Sequence, residues 1–147
     1  MEYQDLNYRD CGFEQTEFSK SLLAGVLAGV LATCLSLIYN YFFRFYTGFS
    51  YSEIINVSTL IFALILVVTI MGIIYYFFHH HLKKGTIIYE ITFLILTVLL
   101  FAGAMGVQRS IDSVVSKQFR ELLFGVIAIT GVCGIFVVPF LFKHDYV

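Results

Sequence analysis

Three adjacent histidines, His79-His80-His81, and one carboxylate inside an apolar run, Glu90, are the side chains of this sequence that could do chemistry. Imidazoles bind zinc, copper or haem iron. Consecutive helical residues point about 100° apart, so three in a row converge on one ion only where the helix has unwound. The i, i+4 spacing of a helical two-histidine site, as in H-E-x-x-H, is absent. A haem between two helices needs an imidazole from each, and the remaining histidine, His144, stands near the end of the sequence. His79, His80, His81 and His144 are therefore weak candidates for a peripheral metal site. The simpler reading is a polar helix end at the lipid headgroups, and no cofactor is expected.

Glu90 allows two readings. A charge at the centre of a membrane helix costs about 2.5–3.5 kcal/mol on insertion scales. Glu90 lies one turn inside its run, so its cost is smaller, and Lys20, Lys83 or Lys84 can offset it. It is then an interfacial carboxylate paired with a lysine, or else a protonatable group in a transport path. Thr86, Phe93, Thr97, Leu100 and Ala104 share its face, which is predicted to turn into the protein. Cys34 and Cys133 sit mid-run, with no C-x-x-C pair, and read as small buried hydrophobes. No phosphate loop, catalytic triad or paired carboxylates are evident, so no catalytic residue is assigned and an enzyme is not expected.

The elements that position these groups follow from composition. The 147 residues are 59% hydrophobic and 13% charged, against roughly 45–50% and 25% in soluble domains. With a mean hydropathy of +0.87 and four long apolar runs, the chain is read as an all-α integral membrane protein. A net charge of −1 without a basic cluster argues against nucleic acid as a partner. Residues 1–20 form a polar tail whose acidic character is wrong for a signal peptide. Helices are predicted over about 21–43, 52–78, 86–106 and 122–142 within one transmembrane domain, 21–142, followed by a short tail, 143–147.

Local signals set the predicted boundaries. Gly48 ends the first helix, and Arg44 is expected to reach the headgroups. Ser50-Tyr51-Ser52-Glu53 fits a capping box for the second. Gly85 reads as its stop and Thr86 as the cap of the third. Ile111, Val114, Val115, Gln118 and Leu122 recur at helical spacing and predict a short amphipathic surface helix before the last crossing. Pro139 is expected to cost little so near a helix end.

Small residues mark where helices can approach. Ser21, Gly25, Gly29 and Thr33 form one row of the first helix, and Ala24, Ala28, Ala32, Ser36 and Asn40 an adjacent one. Gly125, Ala128, Gly131 and Gly134 form a second such set on the last helix. In a bilayer, where burying apolar surface gains nothing over lipid, such faces hold helices together.

Four crossings place both ends on one side, with Arg9, Lys20, Lys83, Lys84 and Lys143 there and Arg44, Arg109, Lys117 and Arg120 opposite. The positive-inside rule then leans towards termini in the cytoplasm, and the expected location is a bacterial inner membrane. The function expected is that of an accessory or assembly subunit, or a homo-oligomer, working through helix contacts with a membrane-protein partner. A small transporter using Glu90 is the first alternative, and a redox or metal-binding subunit using the histidines the second.

Overall fold

A threonine hydroxyl starts the first helix ahead of the apolar run. Thr16 Oγ1 accepts from the Ser19 N–H at 3.3 Å, and Glu17 sets an acid in the first turn. The computed structural model describes residues 16–48, 57–107 and 113–143. The capping box at Ser50 to Glu53, Cys11, Arg109, Ile111 and His144 lie outside the described residues.

Helices α1 (Glu17–Thr47), α2 (Val57–His81) and α3 (Gly85–Met105) are continuous. The fourth rod is α4 (Ser113–Val132), a π-helical turn (Cys133–Val137) and α5 (Val138–Lys143) in unbroken succession. All four rods are long and apolar enough to cross a bilayer, so the chain is an all-α, four-helix membrane bundle. Glu17 and Lys143 line one cleft with the end of α2, which puts both described ends of the chain on the same side. α1 and the fourth rod each have 31 residues, about 46 Å at 1.5 Å per residue, and outreach a hydrocarbon layer of about 30 Å.

The seam between α1 and α2 is the most extensive contact in the bundle. The nine buried residues of α1 are Ser21, Ala24, Gly25, Ala28, Gly29, Ala32, Thr33, Ser36 and Asn40. Gly25 and Gly29 meet Gly72, Thr69, Ile65 and Val68 of α2, whose buried residues are Leu60, Leu64, Val68, Met71, Gly72 and Tyr75. A Cβ on Gly72 would lie 2.7 Å from Gly25 Cα and 2.8 Å from Ser21 O, so backbone meets backbone there. Ser21 Oγ donates to Gly72 O at 2.6 Å in the same buried contact.

The glycines of the fourth rod face three different helices. Tyr39 of α1 lies over Gly125, Thr97 of α3 against Gly131, and Met71 of α2 fills the space at Gly134. Nine residues at about 100° each amount to about two and a half turns, so Gly125 and Gly134 point to opposite sides. One rod can thus receive side chains from all three neighbours. α3 stands at the rim, with 17% of its most apolar stretch buried against 44% for α1.

Several expected boundaries are corrected. α2 continues through His81 instead of ending at Phe78, where His79 and His80 stack on the aromatic rings one turn before them and His81 lies by Phe77. Gly85 is the first residue of α3, not the stop of α2; a Cβ there would run into the Phe78 carbonyl, so glycine lets the turn close. Thr86 does not cap α3, since its hydroxyl pairs with Tyr75 OH at 3.1 Å. Arg44 turns inward, where its Nε donates to Asn40 Oδ1.

The amphipathic stretch, from Ser113 on, is the opening of α4 and not a separate helix. Val114 and Val115 are exposed, and Ser116, Phe119 and Leu122 form the buried stripe. The stretch ties the bundle's far end together. Tyr39 OH donates to Glu121 O at 3.0 Å, Gln118 Nε2 to Thr47 O at 3.4 Å, and Arg120 Nη1 to Met105 O at 3.0 Å at the end of α3.

Gly72→Leu should therefore destabilise the protein by about 1–3 kcal/mol or more through backbone overpacking. Gly103→Leu, with nothing within 4 Å of its Cβ position, should leave stability unchanged. Denaturant melts in mild detergent measure both, and equal effects would contradict the α1–α2 seam.

Candidate functional site

A cleft of about 690 Å³ opens at the end of the bundle where the described chain starts and stops. Glu17 and Lys20 come from the first turn of α1, Tyr75 and His79 from the end of α2, and Thr86 and Glu90 from the start of α3. Phe136, Pro139, Phe140, Phe142 and Lys143 complete it from the fourth rod. The tight turn at Gly85 sets the α2 and α3 contributions side by side.

The floor of this region is aromatic. Tyr75 and Tyr89 meet edge to face at 5.0 Å, and Phe142 packs on Tyr75 at 5.2 Å and on His79 at 5.1 Å. Tyr75 and Tyr89 are almost fully buried, so their hydroxyls need partners. Tyr75 has Thr86, and Tyr89 OH donates to Gly134 O at 2.9 Å.

Gly134 needs that donor for a reason written in the sequence. The Val138 N–H reaches back to Cys133 O in the π turn. The next nitrogen belongs to Pro139 and has no hydrogen. Gly134 O thus has neither of the backbone donors a helix would offer it, and the tyrosine takes their place. The expectation that Pro139 costs little is corrected: its missing N–H is compensated by a side chain from another helix.

The triplet does not converge. His79 stacks on Tyr75 at 5.8 Å, His80 on Tyr76 at 5.6 Å, and His81 lies by Phe77 at 6.3 Å. His80 Nδ1 is 3.8 Å from Glu17 Oε2, and His81 Nδ1 is 3.2 Å from Phe77 O. The three rings thus follow three different faces. Among the described residues no three His, Cys, Asp or Glu side chains group as a metal site. Cys34 is exposed and Cys133 buried.

Glu90 sits on the flank of α3, half-buried, beside the inward positions Gly85, Tyr89, Phe93 and Ala104. Of the face expected to turn inward, Phe93 and Ala104 are buried and Thr86 and Thr97 half-buried, whereas Leu100 is exposed. Sequence reasoning missed Tyr89, Tyr75 and Lys143 as parts of this region. The signal for Tyr89 was there: Gly85, Tyr89 and Phe93 repeat at one-turn spacing. Chemically the cleft offers two carboxylates, two ammonium groups and an imidazole above an aromatic floor, an arrangement suited to binding charged or dipolar groups.

Compared with known proteins, the chain matches no family model, no curated protein and no solved structure.

Tyr89→Phe should cost about 1–3 kcal/mol by leaving a buried carbonyl without a donor. In a Pro139→Ala background, which returns an N–H to that turn, the same change should cost measurably less. A double-mutant cycle in detergent melts reads the difference, and additive effects would contradict the compensation.

Proposed function

We propose that this small integral membrane protein works without catalysis, as an accessory or assembly subunit or as a homo-oligomer, through contacts of its helices with a further membrane chain. The supporting observation is the rim position of α3. Most of its surface points outward, and at its far end Ala102 and Gly103 are exposed, with open space at the Gly103 Cβ position. The small residues of α1 lie against α2, and Gly125, Gly131 and Gly134 each receive a side chain from within the chain. α3 is thus the surface left where a foreign helix can come close without displacing a large side chain. The location proposed is a bacterial inner membrane with the termini in the cytoplasm, supported by Lys20, Lys83, Lys84 and Lys143 at the terminal end.

A carrier that uses Glu90 as its ionisable group is the second reading, supported by the polar cleft that residue lines. Beyond the Tyr75–Tyr89 pair the core is apolar, with Val68, Met71 and Phe93, so an ion route would have to open there. A Glu90→Gln protein with unchanged proton-coupled flux in proteoliposomes removes this reading. The splayed histidines lend no support to a metal or redox subunit.

Gly103→Leu should lower oligomer recovery or partner co-purification in mild detergent by about tenfold or more, while leaving the monomer's melt unchanged. A chain that runs as a monomer with nothing bound, or a Gly103→Leu protein that assembles normally, contradicts the assembly reading.

A further inference from the structure

The cleft carries a second inference, independent of the assembly reading because it lies at the other end of α3 from Gly103. Its carboxylates and ammonium groups are equal in number, Glu17 and Glu90 against Lys20 and Lys143, with the His79 imidazole beside them. An anion entering it meets two carboxylates, and a cation meets two ammonium groups. A ligand carrying both charges a few ångströms apart finds a partner for each end. Nothing in this balance favours a ligand of net charge.

The cleft wall also says what else the ligand carries. Phe136 and Phe140 are one helical turn apart, both line the cleft, and both remain largely exposed, at 59% and 53%. The wall therefore runs continuously from the polar cleft on to the outer, lipid-facing surface of the fourth rod. Glu90 lies five residues into α3, about 7.5 Å along the axis from Gly85. A headgroup layer is about 5–7.5 Å deep on each side of the hydrocarbon. The wall is also the π turn and the helix just beyond it, and such turns occur frequently at functional sites.

We propose that this cleft binds a zwitterionic amphiphile bearing a primary ammonium and a phosphodiester, the chemistry of a phosphatidylethanolamine headgroup. The ammonium lies towards Glu90 and Glu17, the phosphate towards Lys20 and Lys143, and the acyl chains run along Phe136 and Phe140. The primary amine matters because its N–H groups can donate to carboxylates, whereas a quaternary choline cannot.

The test uses the full chain, delipidated in a non-ionic detergent, with native mass spectrometry reading lipid retained. Chain-matched phosphatidylethanolamine, phosphatidylcholine and phosphatidylglycerol are compared with soluble phosphoethanolamine. The expected result is at least about tenfold tighter retention of phosphatidylethanolamine than of the other two lipids. That preference should vanish in Glu90→Gln and in Lys143→Gln, and survive in Lys83→Gln, a charge change at the same end but outside the cleft. Melts without lipid check that the variants are folded, and the exposed Lys143 serves if Glu90→Gln is not. Equal retention of all three lipids, or a preference that persists in the folded variants, overturns the site. Displacement of bound lipid by an equal concentration of soluble phosphoethanolamine overturns the lipid source.

Discussion

The meeting of two backbones at Gly25 and Gly72 constrains where every other part of this protein can stand. Helices in lipid gain nothing from burying apolar surface as such, so they adhere where packing is closest and where a polar group finds a partner. Both occur at this seam: glycine against glycine, with the Ser21 hydroxyl on Gly72 O alongside. The fourth rod runs along α1 and reaches α2 through its π turn and α5. Its glycines then accept Tyr39 from one helix and Met71 from the other, which fixes the rotation of the rod as well as its position. α3 is left on the outside, joined to α2 by a turn that only a glycine closes.

The polar end of the bundle is a consequence of that arrangement. The fourth rod meets Met71 at Gly134 and carries a proline five residues later, and its π turn leaves the Gly134 carbonyl without a backbone donor. Tyr89 supplies the donor and is thereby locked between α3 and the rod. Tyr75 meets it edge to face and turns its own hydroxyl to Thr86. This aromatic floor closes the interior, and the charged side chains of four helix ends gather above it. One wall of the cleft is thus a backbone irregularity whose missing hydrogen bond a tyrosine supplies.

The parts that were legible in the sequence are those set by long-range composition. Four crossings followed from four apolar runs, because backbone groups in hydrocarbon must be satisfied within a helix. The face of α1 was legible because small side chains at one-turn spacing have few uses in a long apolar helix. Helix ends were read less well, since Thr16 and the histidine–aromatic stacks act through single local contacts. In sequence the valines at the opening of α4 resemble a membrane-facing stripe, whereas it is Ser116 and Phe119 that meet the protein. Tyr89 was hidden for a physical reason: it looks like any aromatic near a membrane interface until one knows that Gly134 O, forty-five residues away, lacks a donor.

The central claim, that α1 and α2 of one chain are in near-backbone contact, is tested most directly by a disulfide. A Cβ at Gly29 would lie 3.6 Å from Val68 Cβ, within the roughly 3.5–4.5 Å that a disulfide spans. In a background with Cys11, Cys34 and Cys133 replaced by alanine, Gly29→Cys with Val68→Cys should cross-link within one chain when native membranes are mildly oxidised. The pair Val30→Cys with Val67→Cys, each one position away on an outward face, should not. A cross-link found in the second pair, only between chains, or in neither pair would contradict the account.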